Sequence, residues 1–365
     1  MTENKVLVAG ASGVVGLAAV QHFASLPGWE VVGLSRRPPL PVEGATFVSV
    51  DLADAEQARG AVEASLTDVT HLVYAALYEK PGLFAGWYEQ DQMERNLVMF
   101  RNLLDPLDEL AAGLTHVTLL QGTKAYGAHV GPIDVPARED RPRHQHANFY
   151  WLQEDHMRAR QEGRPWDWTI MRPQIIFGEA LGSNMNAVPA LGVYAALLRE
   201  QGSPLHWPGG QVPFVSEAVD ASLLAGAIAW AATTPRCRHE IYNVTNGDVF
   251  SMRASWPAIA DAFGMEVGDD VPMSLAEALP PREGEWADVV ARYGLRAPAS
   301  LDAFVGQSFL YADMLLGRTL SAAPPLALLS TIKIRKHGFG DCVDTDEMFQ
   351  RLIRSLQDQK LLPPV

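Results

Sequence analysis

The sequence is poor in cysteine, in long apolar runs and in positive charge, and each shortage excludes a class of protein. Its two cysteines, Cys237 and Cys342, lack the close spacing of a metal-binding or redox pair. We therefore expect reduced thiols, with neither a disulfide framework nor a metal site. No uninterrupted apolar stretch reaches the ~20 residues that cross a bilayer, and the polar N-terminus does not resemble a secretory signal. These features predict a cytoplasmic protein without a membrane span.

The charge balance is strongly acidic. The 29 Lys and Arg residues are outnumbered by 43 Asp and Glu residues, which gives a net charge of −14. Such a chain is a poor candidate for non-specific binding to nucleic acid or to an anionic membrane. Its 365 residues are 48% hydrophobic, which is enough to build one large domain or two moderate ones.

The N-terminal half alternates between short apolar runs and helical patterns. Strands are predicted at residues 5–9, 30–34, 47–50, 71–75, 116–120 and 168–171. Helices are predicted at residues 17–25, 55–65, 93–108 and 149–162. Strands that alternate with helices indicate an α/β fold, and right-handed crossovers then produce a doubly wound parallel sheet of the Rossmann type.

The alternation stops near residue 178. A helical pattern at 189–200 and a late strand at 241–244 precede a mostly helical remainder. We therefore expect a dinucleotide-binding domain over 1–180, with a return strand near 241–244. A smaller, mostly helical substrate-binding lobe is expected over 181–240 and 248–365. In open α/β sheets, ligands bind at the carboxyl ends of the strands.

A glycine-rich turn lies between the first strand and the first helix. Gly10, Gly13 and Gly16 have GxxGxxG spacing, which permits a tight turn and close approach of the backbone to a diphosphate. The alternative is a purely structural turn. If the turn binds a dinucleotide, its contact residues are Gly10, Ser12, Gly13, Val14, Val15 and Gly16.

The end of the second strand indicates which dinucleotide is bound. Ser35, Arg36 and Arg37 stand where an NAD enzyme usually has an acidic residue about 20 residues beyond the glycines. Two guanidinium groups favour the 2′-phosphate of NADP(H). The alternative is that one arginine simply points to solvent. After the third strand, Asp51 could contact the adenine or could be the N-cap of the next helix.

The spacing of the glycines suggests an extended short-chain dehydrogenase, yet the Tyr-x-x-x-Lys motif of that class is absent. Tyr126 is followed four residues later by Val130, and Tyr150 by Glu154. Lys124, which follows the fifth strand, could supply the missing ammonium to Tyr150 at the start of the next helix. A neighbouring ammonium favours a phenolate and positions its hydroxyl. The alternatives are a solvated surface lysine and a buried tyrosine with a satisfied hydroxyl.

Several segments in order along the chain resemble one family of extended short-chain dehydrogenases/reductases, the progesterone 5β-reductase/iridoid synthase-like (PRISE) family. The most specific segment is similar to the NFYYxxED signature of that family: Asn148-Phe149-Tyr150-Trp151-Leu152-Gln153-Glu154-Asp155. Further matching segments lie at 122–124, 172–178, 183–186, 193–196, 243–250 and 336–339. Residues 127–140 look more like bacterial and fungal members than plant members.

The resemblance implies NADPH-dependent reduction of the C=C bond of an α,β-unsaturated carbonyl compound, with Lys124 and Tyr150 at the reacting carbonyl. The substrate would be a small apolar enone or carbonyl compound, and a homodimer is one option for the assembly. The family positions that would line the cofactor here are Asp51, Leu52, Ala76, Gln121, Lys124, Tyr150, Pro173, Ile176, Ser183, Asn184 and Met185.

The sequence departs from the family pattern at three positions. Trp151 replaces the second tyrosine of the signature, Ile133 replaces a usual aromatic residue, and Asn184 replaces a methionine common in plant members. The substrate pocket would include Tyr126, Ile133 and Phe339. Tyr126 could instead be a packed loop residue, and Phe339 could belong either to a lid or to a plain turn.

Three other functions remain open at this point. Carbonyl reduction to an alcohol would use the same residues. A protein that senses NADPH without turnover would be expected to lose Lys124 and Tyr150. A nucleotide-sugar epimerase would require Tyr-x-x-x-Lys and usually NAD, and both Arg36 and Arg37 argue against it.

Overall fold

A computed structural model describes residues 4–365, which form two compact units. The first unit comprises residues 4–174, Ala221–Thr245 and Ala327–Asp341. The second comprises Ile175–Asp220, Asn246–Leu326 and Cys342–Val365. The division differs from the expected one because residues 221–240 and 327–341 belong to the first unit.

The strands of the described chain are, in order, β1 (Asn4–Ala9), β2 (Trp29–Ser35), β3 (Ala45–Ser49), β4 (His71–Tyr74), β5 (His116–Leu120), β6 (Asp167–Pro173), β7 (Ile175–Phe177), β8 (Leu205–Trp207), β9 (Val215–Ser216), β10 (Ala218–Asp220), β11 (Glu240–Val244), β12 (Phe250–Ser251) and β13 (Val267–Asp270).

The α-helices are α1 (Val14–Ser25), α2 (Ala55–Ser65), α3 (Gln90–Leu110), α4 (Phe149–Gln161), α5 (Ala187–Glu200), α6 (Ala221–Thr233), α7 (Met252–Ala262), α8 (Leu275–Ala278), α9 (Glu283–Tyr293), α10 (Leu301–Val305), α11 (Ser308–Leu315), α12 (Ile332–His337) and α13 (Thr345–Asp358). Short 3₁₀ turns are formed by Ala85–Tyr88, Thr123–Tyr126, Pro235–Cys237 and Pro280–Arg282.

The first unit contains a seven-stranded sheet in the order β11-β6-β5-β4-β1-β2-β3. Every neighbouring pair is parallel. The order runs outward in both directions from β1, which confirms the predicted doubly wound Rossmann fold. Ala9 lies opposite both Leu34 and Tyr74, so the central strands end together at one edge of the sheet.

Helices cover both faces of this sheet. Apolar side chains of α2, α3 and α4, including Val62, Phe100 and Met157, form one core with the buried residues of the strands. On the other side, α6 packs against α1 and contacts β5 and β6. The small alanines of α6 permit close packing, which explains why residues 221–233 belong to the first unit.

The second unit is mostly helical, with short two-stranded pairings. β7 pairs with β10 in parallel, and β9 pairs with β12 antiparallel. Trp286 stacks on Phe304 with 5.0 Å between ring centroids, and both rings are buried. These two rings therefore belong to the core of this unit. Within residues 4–365, no helix combines the length and the apolar character needed to cross a bilayer.

Candidate active site

The glycine turn between β1 and α1 has no room for a side chain at Gly10 or at Gly16. Gly10 has a positive φ of 85°, and a Cβ there would lie 2.7 Å from the carbonyl of Ala75 and from the backbone nitrogen of Ala76. A Cβ on Gly16 would lie 2.0 Å from the oxygen of Gly10. The first turn of α1 therefore packs directly on the loop, and Ala76 borders the same turn.

The N-terminus of α1 fits a diphosphate. Gly13 stands at the N-cap and supplies no side-chain hydrogen bond to the first turn of the helix. The free N–H groups and the positive end of the helix dipole are the donors that an anionic group requires. Ser12 and Val15 are half-buried beside these donors, whereas Val14 is buried. The residues of the turn would hold the diphosphate of a dinucleotide.

The two arginines after β2 lie on an exposed segment whose backbone is held by hydroxyl groups. Ser35 Oγ donates to the carbonyl of Arg37 at 2.6 Å, and Ser49 Oγ donates to the carbonyl of Arg36 at 3.2 Å. Both arginines are solvent-exposed. Their backbone is thus fixed at the end of β2, the place in this fold where a 2′-phosphate would lie.

Asp51 is not the N-cap of α2. Asp54 has that role, since its Oδ1 accepts a hydrogen bond from the nitrogen of Gln57 at 3.0 Å. Asp51 Oδ1 accepts from the nitrogen of Ala53 at 3.0 Å and so shapes the loop after β3. Leu52 is buried, and its carbonyl accepts from Asn102 Nδ2 at 2.8 Å. The predicted contact of Asp51 and Leu52 with adenine stays a prediction.

Asn148 joins the segments that carry Lys124 and Tyr150. Its Oδ1 caps α4 by accepting from the nitrogen of Tyr150 at 3.0 Å, and its Nδ2 donates to the carbonyl of Lys124 at 3.1 Å. Ala125 shares a buried apolar cluster with Tyr150 and Trp151. The structure therefore brings the two predicted catalytic residues into one region, although they lie on different elements.

The Tyr150 hydroxyl is available for a ligand. It lies beside Gly122, where a Cβ would approach it to 3.3 Å, and it makes no hydrogen bond to any residue in the described range. Burial raises the pKa of Tyr150, and the carboxylate of Glu79 raises it further, whereas Arg172 opposes the change. Tyr150 is therefore a neutral phenol, as a hydrogen-bond donor to a developing oxyanion must be.

Lys124 is buried, which excludes the alternative of a solvated surface lysine. Its side chain is 14% exposed, and Nζ lies 3.9 Å from the centroid of the Trp87 ring. Burial lowers the pKa of Lys124 to about 8, although the nearby Glu79 opposes this shift. Lys124 can thus lose its proton, and with it its charge, within a few pH units of neutrality.

Glu79, in the loop after β4, was not predicted from the sequence. Its side chain is 3% exposed, and Oε1 lies 3.8 Å from Lys124 Nζ. Oε2 accepts a hydrogen bond from Gln92 Nε2 at 2.7 Å. Burial raises the pKa of Glu79, against the opposing effects of Lys124 and Gln92. An isolated glutamate in a loop has no sequence signal that distinguishes it from a surface residue.

A polar network beneath α4 uses Gln121, which was predicted to contact the cofactor. Gln121 Nε2 donates to Glu154 Oε2 at 2.9 Å, and Arg172 Nε donates to Gln121 Oε1 at 2.8 Å. Although burial works to raise the pKa of Glu154, Gln121 and Arg143 hold it below its usual value. The amide of Gln121 is therefore engaged in support of α4, and Pro173 is buried at the end of β6.

The three predicted pocket residues have different surroundings. Tyr126 donates to Asn243 Oδ1 at 2.7 Å, which makes it a packed loop tyrosine. Phe339 is buried against Trp230, with 5.5 Å between ring centroids, so it lies in a packed turn and not in an open lid. Ile133 is half-buried in the loop between Lys124 and α4, where its predicted contact with substrate stays a prediction.

Four residues predicted at the cofactor belong to the second unit: Ile176, Ser183, Asn184 and Met185. Ile176 lies on β7, and the other three precede α5. Asn186 stabilises this loop by donating from Nδ2 to the carbonyls of Gly178 at 2.8 Å and Ala180 at 3.1 Å. Their contact with a cofactor stays a prediction.

The parallel sheet, the glycine turn and the tyrosine at the carboxyl edge define a short-chain dehydrogenase/reductase, an oxidoreductase class that uses a nicotinamide dinucleotide. The chain belongs to the PRISE-like Rossmann-fold family, whose model matches residues 6–315. The family resemblance seen in the sequence is thus confirmed.

Similar proteins agree with this family. The chain is 30% identical over 383 residues to an (S)-8-oxocitronellyl enol synthase of Antirrhinum majus, covering 99% of this chain and 93% of that protein. It is 34% identical over 337 residues to a 3-oxo-Δ(4,5)-steroid 5β-reductase of Arabidopsis thaliana, covering 86% and 83%.

Solved structures share the fold at lower identity. A UDP-glucose 4-epimerase of Thermus thermophilus in complex with NAD has a TM-score of 0.63 at 20% identity, covering 97% of this chain and 99% of that chain. Another UDP-glucose 4-epimerase has a TM-score of 0.69 at 16% identity, covering 98% of both chains. At this identity the likeness extends to the fold and not to the reaction.

Proposed function

We propose that the protein catalyses NADPH-dependent reduction of the C=C bond of an α,β-unsaturated carbonyl compound. The observation that carries this proposal is the Tyr150 hydroxyl, which is neutral, mostly buried and without a hydrogen-bond partner among the described residues. The residue is 8% exposed, so a substrate carbonyl oxygen could reach this hydroxyl and accept its hydrogen bond.

The chemistry of an enone explains why such a donor is useful. When bound, NADPH would supply the hydride that the β-carbon of the substrate takes up. Reduction at that carbon moves an electron pair through the former double bond onto the carbonyl oxygen, which becomes an enolate. Tyr150 would donate a hydrogen bond to this oxygen, where charge develops in the transition state. A proton from solvent, added at the α-carbon, completes the saturated carbonyl product.

Lys124 would support this step electrostatically. Its Nζ forms no hydrogen bond within the described part of the chain, so its N–H groups remain available. Its positive charge would stabilise the negative charge that develops on the substrate oxygen. The names of the two plant relatives fit the same chemistry, since one describes formation of an enol and the other reduction of a 3-oxo-Δ(4,5)-steroid.

The preference for NADPH over NADH rests on Arg36 and Arg37. Both are exposed at the end of β2, and neither Ser35 before them nor Pro38 after them carries a charge that would repel a phosphate. Paired guanidinium groups bind a phosphate with charge-assisted hydrogen bonds.

The proposal can be tested by measuring NADPH consumption with 2-cyclohexen-1-one and with progesterone, followed by identification of the products. Formation of the saturated ketone is expected. Tyr150→Phe should lower kcat by about 100- to 1000-fold, the usual effect of removing one donor to a developing oxyanion. Lys124→Ala should also impair the reaction strongly.

Tyr74→Phe is a matched control, because Tyr74 is another buried tyrosine of the first unit whose hydroxyl lacks a hydrogen-bond partner within residues 4–365. It lies in the core beneath α3, and its activity should equal that of the native protein. An allylic alcohol as product would instead indicate carbonyl reduction. Tight binding of NADPH without consumption across a broad substrate panel would favour a sensing role.

A further inference from the structure

Lys124 is held by two groups from a single segment, the loop between β4 and α3. Glu79 Oε1 lies 3.8 Å from Lys124 Nζ. The centroid of the Trp87 ring lies 3.9 Å from the same nitrogen, and Trp87 is part of the 3₁₀ turn Ala85–Tyr88. A cation near an aromatic face and a carboxylate is attracted to both. The ammonium is therefore fixed without participation of α4, the helix that carries Tyr150.

The distance to Glu79 is too long for a hydrogen bond. Lys124 Nζ thus gains the attraction of a carboxylate while all three of its N–H donors remain unused by the residues described. A lysine that formed a close ion pair would donate at least one of its N–H groups to the partner. This arrangement keeps the ammonium oriented and still able to donate to a bound molecule.

The unfavourable burial of the Glu79 carboxylate indicates that this arrangement serves a function. Glu79 Oε1 is buried and accepts no hydrogen bond within residues 4–365. A buried carboxylate oxygen without a donor is destabilising. The nearby charge of Lys124 compensates for this, and the Trp87 side chain also lowers the pKa of Glu79. Meanwhile Gln92 holds the other oxygen of Glu79 and also accepts from the nitrogen of Lys80 at 2.9 Å, so the loop and α3 fix the carboxylate in place.

We propose that Glu79 is a positioning residue for the reductase site: together with the ring of Trp87, it fixes the direction of the Lys124 ammonium and maintains its charge. This inference rests on the proposed function for its catalytic consequence, whereas the pairing of Glu79 with Lys124 can be measured without any substrate. Glu79 itself contacts the lysine and need not touch the substrate.

The titratable groups around Lys124 and Glu79 come from three segments. Glu79 lies after β4, and His129 lies in the loop that follows Lys124 itself. Tyr150 is on α4, where Glu79 raises its pKa. His129 is kept neutral because burial, and then the positive charges near it, lower its pKa to about 4. Among these groups, Glu79 is the one whose charge opposes the lowering of the Lys124 pKa by burial.

The direct test uses NMR of protein labelled with ¹³C at the lysine ε-carbon. The chain has six lysines: Lys5, Lys80, Lys124, Lys333, Lys336 and Lys360. The Lys124 signal is assigned by its loss in Lys124→Arg, and its titration is followed in the native protein and in Glu79→Gln. Removal of the carboxylate should move the Lys124 titration to lower pH by about one to three pH units.

Glu89→Gln is the matched control. It removes a carboxylate from the end of the same loop, but Glu89 pairs with Lys80 and not with Lys124. The Lys124 titration should be unchanged in this variant, while that of Lys80 moves to lower pH. The Lys124 titration should keep its position on the pH scale in Trp87→Phe but not in Trp87→Leu, because only phenylalanine keeps an aromatic face.

The second readout is the pH dependence of kcat/KM with 2-cyclohexen-1-one. In Glu79→Gln, the decline at alkaline pH should begin at lower pH by the same interval as the NMR titration. An unchanged Lys124 titration in Glu79→Gln would overturn the proposal. A changed titration with an unchanged pH profile would also overturn it, because Glu79 would then have no consequence for the reaction.

These outcomes can be separated from failure of the proposed function. If the native protein reduces no enone, the proposed function fails, and the positioning role for that reaction fails with it. The NMR titration would still decide whether Glu79 maintains the charge of Lys124. If enone reduction is present and Glu79→Gln alters neither readout, the proposed function stands and the role of Glu79 is rejected.

Discussion

The titration of Lys124 leads to a specific prediction about the pH dependence of activity. Burial lowers the pKa of Lys124 to about 8, so the side chain is charged below that pH and neutral above it. With this pKa, about 90% of the lysine is charged at pH 7 and about 10% at pH 9. If the ammonium stabilises the enolate, kcat/KM should fall about tenfold over this interval.

The phenol of Tyr150 and the imidazole of His129 do not titrate in the same interval. The pKa of Tyr150 is raised by burial and by Glu79, so its phenol stays protonated above pH 9. His129 is neutral well below pH 7, because burial and neighbouring positive charge lower its pKa to about 4. Since kcat/KM reports the ionisation of the free enzyme, its alkaline decline can be assigned to Lys124.

The assay measures initial rates of NADPH consumption with 2-cyclohexen-1-one between pH 6 and pH 10, at several substrate concentrations. Lys124→Arg is the informative variant, because a guanidinium keeps its charge throughout this range. Its activity should be lower than that of the native protein, owing to altered geometry, but it should not decline between pH 7 and pH 9. A native kcat/KM that is constant over this interval would refute the reasoning, because the charge of Lys124 would not contribute to the rate.

Three further predictions concern the cofactor turn, the choice of cofactor and the stability of the sheet. Arg36→Ala and Arg37→Ala should each raise KM for NADPH about 10- to 100-fold, since each variant loses a charge-assisted hydrogen bond to the 2′-phosphate. KM for NADH should change little. Steady-state kinetics with both cofactors would test this. Gly16→Ala should lower both the melting temperature and the affinity for NADPH, because its Cβ would lie 2.0 Å from a carbonyl oxygen of the turn; calorimetry of the apoprotein and of its complex would measure both effects. Burial lowers the pKa of His71 to about 4 and that of His116 to about 3. Below pH 6.5 the unfolded chain therefore takes up protons at these histidines that the folded chain does not. Each histidine should thus reduce the free energy of unfolding by about 2 kcal/mol between pH 7.5 and pH 5. Denaturant unfolding should show a smaller loss in His71→Gln and His116→Gln, and an equal loss would contradict the assignment.

Much of the first unit could be predicted because its elements follow simple periodicity. The helix at 55–65 and the strand at 116–120 have the bounds that their patterns predicted. The first helix begins at Val14 and not at residue 17, since two β-branched valines after a glycine turn resemble loop more than helix. Residues 221–233 were assigned to the wrong part of the chain, because an apolar helix carries no signal for the helix it packs against.

The site could be predicted only in part. As the pattern predicted, Lys124 follows β5 and Tyr150 lies at the start of α4. Asn148 joins the two segments through hydrogen bonds between its side chain and their backbones. Periodicity indicates where a residue lies along the chain, but it carries no information about burial of a lysine. The burial of Lys124 and its pairing with Glu79 were therefore missed.

The separation of lysine and tyrosine explains why a third segment is needed. In a Tyr-x-x-x-Lys motif, both residues lie on one face of a single helix, so the helix itself sets the direction of the lysine. Here Lys124 lies on a short 3₁₀ turn after β5, which imposes no such direction. We infer that a site with its lysine on a loop requires an external group to orient the ammonium. Glu79 and Trp87 meet this requirement from the loop after the neighbouring strand β4, whose carboxyl end lies at the same edge of the sheet.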